Sequence, residues 1–189
     1  MSILIIDNHD SFTFNLVHLI EECGRCDVSV IKNNEINMNE IDEFDKILIS
    51  PGPGIPSETI NLIEIIEKYH KTKTILGICL GHQAIAEYFG ATLINVSTPF
   101  HGIKSRIYIT KNDSYIFNNI PSTFHAGRYH SWVVSAHDFP GSLKITAISD
   151  DGFIMAISHR SFDVQGIQFH PESIMTPHGK LIIQNWLNK

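Results

Sequence analysis

Apolar residues fall along this chain in two textures. In the first half, short runs at Ile3 to Ile6, Val28 to Ile31, Ile47 to Ile49 and Ile75 to Ile78 are mostly β-branched and unbroken by polar positions. This pattern predicts strands buried on both faces of a parallel sheet. Between them the period lengthens. Ser11 to Glu22 sets Phe12, Leu16, Leu19 and Ile20 on one helical face, opens beside the capping candidates Asp10 and Ser11, and stops near Gly24. Glu58 to His70 repeats the arrangement with Ile60, Ile63 and Ile66, and His82 to Phe89 predicts a third helix ended by Gly90. Strands alternating with helices imply an α/β fold, an open and mostly parallel sheet flanked by helices.

Past Gly90 the runs are strand-like and closely spaced: Arg106 to Thr110, Trp132 to Ser135, Leu143 to Ile148, Phe153 to Ser158 and Val164 to Phe169. Gly, Pro, Asp and Asn punctuate them, so this half is expected to add antiparallel strands to the sheet or beside it. Lys180 to Trp186 predicts a closing helix. At 189 residues, with no internal repeat or linker, one domain over 1–189 is expected.

Charge and cysteine usage narrow the function classes. A net charge of −6 gives no attraction toward phosphate backbones or anionic lipid, so neither nucleic acid nor membrane is an expected partner. The first apolar run ends at Asp7, too short for a membrane span and without the basic start of a signal peptide. Cys23, Cys26 and Cys79 cannot all pair with one another, which points to a reducing cytoplasm.

The chemistry gathers at three places. Gly77-Ile78-Cys79-Leu80-Gly81 lies where a buried strand meets a helix, with glycines two positions either side of a nucleophilic side chain. That is the nucleophile-elbow pattern with sulfur in place of a hydroxyl. Helix N–H groups at such a turn favour a thiolate and can stabilise a developing oxyanion. A small buried thiol that only fills space is the competing explanation.

A thiolate needs a base. His170 follows the Val164 to Phe169 strand, Pro171 stops the ladder, and Glu172 projects the same way as His170 in extended chain, where it can fix the imidazole tautomer. Cys79, His170 and Glu172 thereby form a candidate nucleophile, base and orienting carboxylate; the alternative for Glu172 is an ordinary turn or cap residue. The third place is Ser50-Pro51-Gly52-Pro53-Gly54-Ile55-Pro56, a stiff loop with bare amides after the Ile47 to Ile49 strand. It could supply a second oxyanion N–H beside that of Leu80, or serve only as a rigid turn. Cys79, His82 and His170 could also imitate metal ligands, but no fourth ligand is visible, and no metal or other cofactor is expected in this chain.

Ile78-Cys79-Leu80-Gly81-His82-Gln83 together with Phe169-His170-Pro171-Glu172-Ser173 resembles the class I, or triad, glutamine amidotransferases. The Ile6 to Thr13 segment and Arg128-Tyr129-His130-Ser131-Trp132-Val133-Val134 narrow the resemblance to the amidotransferase subunits of anthranilate synthase or 4-amino-4-deoxychorismate synthase. The resemblance implies a flavodoxin-like sheet with Cys79 as nucleophile on the glutamine carboxamide, His170 as acid and base, and Glu172 as its orienting carboxylate. It implies oxyanion N–H groups from Gly54 and Leu80, and glutamine contacts from Gly52, Pro53, Gly54, Leu80, Gln83, Ser131 and Trp132. It also implies a chorismate-using partner subunit that receives the ammonia, for anthranilate in the tryptophan pathway or, alternatively, for the folate precursor. A thiol hydrolase of the same architecture is the more distant alternative. Two departures from the family pattern stand at Gly102-Ile103-Lys104-Ser105, where many relatives read Gly-Lys followed directly by a small polar residue, and at Trp132, often leucine.

Overall fold

The computed structural model describes residues 1–24, 26–111 and 114–189. Its first half runs β1 (Ser2–Asp7), α1 (Thr13–Glu21), β2 (Asp27–Lys32), β3 (Lys46–Ile49), α2 (Leu62–Tyr69), β4 (Thr74–Ile78) and α3 (Leu80–Tyr88). Its second half runs β5 (Leu93–Asn95), β6 (Ile103–Ile109), β7 (Thr123–Arg128), β8 (Trp132–Val134), β9 (Leu143–Ser149), β10 (Ile154–His159), β11 (Val164–Ile167) and α4 (Gly179–Leu187). A nine-stranded sheet has the order β2-β1-β3-β4-β11-β10-β9-β6-β7. From β2 to β11 every neighbouring pair is parallel, and from β11 to β7 every pair is antiparallel. β5 and β8 form a separate antiparallel pair. The second half thus extends the sheet and also builds beside it, while β11 returns into the parallel part next to β4.

Both faces of the parallel part are covered, which is why its strands read as continuous apolar runs. In β1, Ile3 and Ile5 join Leu16 and Ile20 of α1 and Ile182, Ile183 and Trp186 of α4 on one side. Leu4 and Ile6 join Ile65 and Ile66 of α2 and Ala84 and Ile85 of α3 on the other. Each strand residue therefore finds apolar partners whichever way it points.

Several expectations are corrected by the tertiary setting. Val28 to Ile31 is an edge strand and only half-buried, because β2 has a neighbour on one side alone. Ile60, expected on the buried face of a helix, is 62% exposed. Pro56 to Glu58 forms a 3₁₀ turn, and Asn61 at φ 64 resets the chain before α2, so the buried face is Leu62, Ile65, Ile66 and Tyr69. Phe12 likewise stands ahead of α1, exposed, while Asp10 accepts the Phe12 N–H at 2.8 Å in the turn leading into the helix. α3 starts two residues earlier than expected, which puts Cys79 directly at its N-terminus. Among the described residues no helix is long and apolar enough to cross a membrane, and no group of three or more His, Cys, Asp or Glu could hold a metal ion.

Candidate active site

Cys79 is the single residue between β4 and α3, with φ 51 and ψ −99. A side chain at positive φ is costly and persists only where the surroundings impose it. The flanking glycines are part of that imposition. A Cβ on Gly77 would lie 2.4 Å from the Gly81 carbonyl carbon and oxygen, and one on Gly81 would lie 2.6 Å from the Ile49 carbonyl oxygen of β3. The turn closes because both are bare. The Cys79 N–H donates to Ile167 O of β11 at 2.8 Å, and the Cys79 carbonyl accepts the Gln83 N–H at 3.1 Å. The thiol is 6% exposed, points toward the Tyr129 carbonyl oxygen at 3.9 Å, and accepts from Gln168 Nε2 at 3.5 Å.

His170 reaches the same edge from β11. Its N–H donates to Gly127 O of β7 at 3.0 Å, and Thr176 Oγ1 donates to its carbonyl at 2.6 Å. α4 presses against the following turn so closely that a Cβ on Gly179 would stand 1.8 Å from the Pro171 carbonyl oxygen. Within this clamp His170 Nδ1 lies 2.5 Å from Glu172 Oε1, both side chains being buried. The carboxylate thereby holds the Nδ1 proton and leaves Nε2 for chemistry. Nε2 is buried and makes no completed hydrogen bond. Burial disfavours charge on the ring, yet interaction with the Cys79 sulfur and with Glu172 outweighs it and raises the His170 pKa well above 6.5. Asp10 stands near this pair; burial raises its pKa while the His170 charge opposes that shift.

The Gly52 to Gly54 loop is seated on Asn8, whose N–H donates to Ser50 Oγ and whose Nδ2 donates to Ser50 O, each at 2.9 Å. Gly52 allows this approach: a Cβ would come within 2.6 Å of Asn8 Cβ and 2.7 Å of Leu80 Cδ2. Gly54 takes φ 76. Gly52, Pro53, Gly54, Cys79, Gln83, Ser131 and Trp132 line one cavity of about 150 Å³, together with His101, Tyr129 and His130. Leu80 is the first residue of α3, its side chain buried against Gly52, so only its backbone is available to a ligand.

Residues beyond the sequence reading complete the site. Tyr129 stands between that cavity and a second one of about 260 Å³, which is lined by His170, Glu172, Phe12, Asn15, Ser173 and Ile174. Its ring meets that of His170 edge-on at 4.9 Å. Arg128, fully buried, ion-pairs with Asp151 at 2.9 Å, donates to Ser105 Oγ and His130 Nε2, and lies 3.5 Å over the Phe100 ring. His82 does not face the thiol as a metal ligand would: it is wholly buried against Gly166 of β11, and burial lowers its pKa to about 4. In the departing segment, Lys104 is exposed on β6 and Ser105 is turned inward to Arg128.

This arrangement can carry out nucleophilic attack on a carbonyl, with proton transfer through an imidazole fixed by a carboxylate. A candidate anthranilate synthase component II of Haemophilus influenzae is 45% identical over 187 residues, covering 99% of this chain and 96% of that protein. The anthranilate synthase component 2 of Pyropia yezoensis is 44% identical over 188 residues, covering 98% of each. The crystal structure of a candidate GMP synthase subunit from Thermoplasma acidophilum superposes with a TM-score of 0.87 at 26% identity, covering 100% of this chain and 92% of that one. Residues 4–189 match the family described as glutamine amidotransferase class-I, and the chain belongs to that family.

Proposed function

We propose that this chain is the glutamine-hydrolysing subunit of anthranilate synthase, with Cys79, His170 and Glu172 as its catalytic triad. The observation that carries the reading is the buried Glu172–His170 pair set beside a thiol held at a strained elbow. The cavity at that thiol is well below the ~300 Å³ at which drug-sized sites begin, a size suited to an amino acid. Glutamine would enter between the Gly52 to Gly54 loop and the Ser131-Trp132 main chain. The thiolate adds to the side-chain carboxamide carbon, and the Leu80 and Gly54 N–H groups receive the oxyanion. His170 protonates the departing ammonia, then takes a proton from the water that cleaves the glutamyl thioester to glutamate.

Ammonia released into neutral water becomes ammonium and loses its nucleophilicity, so it must pass directly to an acceptor site. The reading assigns that site to a chorismate-using partner subunit, with the pair in the cytoplasm, where three free thiols persist. Relatives at 44% and 43% identity in Pyropia yezoensis and Porphyra purpurea are named for anthranilate synthase, which favours anthranilate over 4-amino-4-deoxychorismate as the product. The test is to mix the purified protein with each candidate chorismate-using subunit, supply glutamine and identify the aromatic amine. Anthranilate is expected. Replacing Cys79 by Ala should abolish synthesis from glutamine while leaving the partner active on added ammonium salt; loss of both activities, or retention of both, would overturn the reading.

A further inference from the structure

Gln83 lines the cavity beside the thiol, and its amide nitrogen is committed within the protein. Nε2 donates to the Trp132 carbonyl at 2.9 Å and to Gln168 Oε1 at 3.1 Å. Gln168, at 0% exposure, then donates from its own Nε2 to the Cys79 sulfur at 3.5 Å. The direction of this relay is fixed from one end. A backbone carbonyl only accepts, so Gln83 must turn its nitrogen toward Trp132; the same nitrogen meets Gln168, which must answer with oxygen; and the Gln168 nitrogen is left facing sulfur.

We propose that Gln168 is a further catalytic residue, the standing hydrogen-bond donor to the Cys79 thiolate, held in that orientation by Gln83. This rests on Cys79 being the nucleophile. An amide donor suits the task because it stabilises negative charge on sulfur and has no acidic proton to surrender, so it does not compete with His170 as the acid. Both amides are buried, and a donor in low dielectric acts on the thiolate more strongly than one in water. At its far end the relay hangs on Trp132, which lines the cavity beside the thiol, so a shift of that main chain on glutamine binding reaches the sulfur through three hydrogen bonds. Gln83 is then a positioning residue.

The experiment compares alkylation of Cys79 by iodoacetamide at pH 7 and in strong alkali, followed by peptide mass spectrometry so that Cys23 and Cys26 do not interfere. The alkaline rate serves as the reference for access to the sulfur, so the ratio of the two rates separates the donor's effect from access. Gln168→Leu is expected to lower the neutral rate about tenfold, the size expected for one hydrogen bond to a charged group, with the alkaline rate unchanged. Gln168→Glu, which keeps the shape but offers an anion, should lower it further, and Gln83→Leu less. Glutaminase kcat should fall in the same order, with KM changed less than twofold in the Gln168 variants. If Gln168→Leu does not fold, the near-isosteric Gln168→Glu decides. A wild-type rate ratio in the folded variants overturns the proposal. Because the ratio is read without substrate or partner, it stands apart from failure of the glutaminase reading, which the Cys79→Ala variant reports.

Discussion

Gly77 and Gly81 touch across the turn that carries Cys79, with no room for a single methyl between them: a Cβ on Gly77 would sit 2.4 Å from the Gly81 carbonyl. The clash is with backbone, which cannot swing aside as a side chain can. Gly77→Ala must therefore shift either the end of β4 or the start of α3, and with them the φ of Cys79. We expect it to destabilise the fold by about 3 kcal/mol, the upper end for overpacking, and to lower glutaminase activity at least a hundredfold. Gly90→Ala is the control for generic glycine loss. It too has positive φ, but nothing lies within 4 Å of its Cβ position, so its cost should be about 1 kcal/mol of backbone strain with activity retained. Urea denaturation and glutamate release measure both.

The second prediction concerns Glu172. With Gln in its place the His170 ring keeps a hydrogen-bond acceptor but loses the charge that helps hold it protonated. Orientation survives in part, so kcat should fall by about a hundredfold, within the range for general acid–base assistance, whereas Cys79→Ala should leave no measurable turnover. A loss as complete as that of Cys79→Ala would contradict an orienting role. The stability effect has a definite sign. A histidine whose folded pKa is raised stabilises the fold fully below its unfolded value near 6.5 and loses that contribution as pH climbs through the folded value. The advantage of wild type over Glu172→Gln should thus be largest at mildly acid pH and fade in alkali.

His82 and His130 act in the opposite sense, and this is the third prediction. Burial lowers the pKa of His82 to about 4 and that of His130 to about 3, the latter helped by the Arg128 charge. Both are neutral in the fold and in the unfolded chain above about 6.5, so their contribution is intact there. As pH falls toward 4 the unfolded chain takes up protons that the fold refuses, and stability drops by roughly 3 kcal/mol per residue, at 1.36 kcal/mol per pKa unit. Denaturation midpoints measured from pH 7 to pH 4 should show this loss, and His82→Gln should make the slope shallower by one proton. An unchanged slope would mean that His82 titrates normally.

Much of this site is legible in the chain because its signals are local. The elbow needs glycines two positions either side of the sulfur, and the candidate base and its carboxylate are two residues apart at a strand end, so spacing picks out Cys79, His170 and Glu172 as candidates. Gln168 and Tyr129 are legible only in three dimensions. Gln168 meets Cys79 because β11 is inserted beside β4, a neighbour relation between residues 89 positions apart that no local pattern encodes. β7 was hidden for a related reason: Phe124, Ala126 and Arg128 do alternate inward, but a buried arginine reads as a surface residue until its partner Asp151 and the Phe100 ring are found. The misplaced face of α2 has a different origin. Ile60 keeps helical spacing with Ile63 and Ile66, but the left-handed Asn61 breaks the phase between them.

The last prediction follows from that buried arginine. Arg128 directly precedes the segment Tyr129-His130-Ser131-Trp132, which forms one wall of the cavity beside Cys79, and Asp151 is its charged partner. Burial lowers the arginine's pKa and the carboxylate works against that loss. Asp151→Asn leaves the guanidinium in place with a neutral partner. Removing one member of a fully buried pair costs 3–5 kcal/mol, but Asp151 is 37% exposed and water screens part of the interaction, so about 1–2 kcal/mol is expected. The kinetic consequence separates wall from machinery. Cys79, His170 and Glu172 are not touched by the change, so KM for glutamine should rise several-fold while kcat stays within about twofold, the pattern of lost uniform binding. A fall in kcat at unchanged KM would instead tie Asp151 to the chemical step.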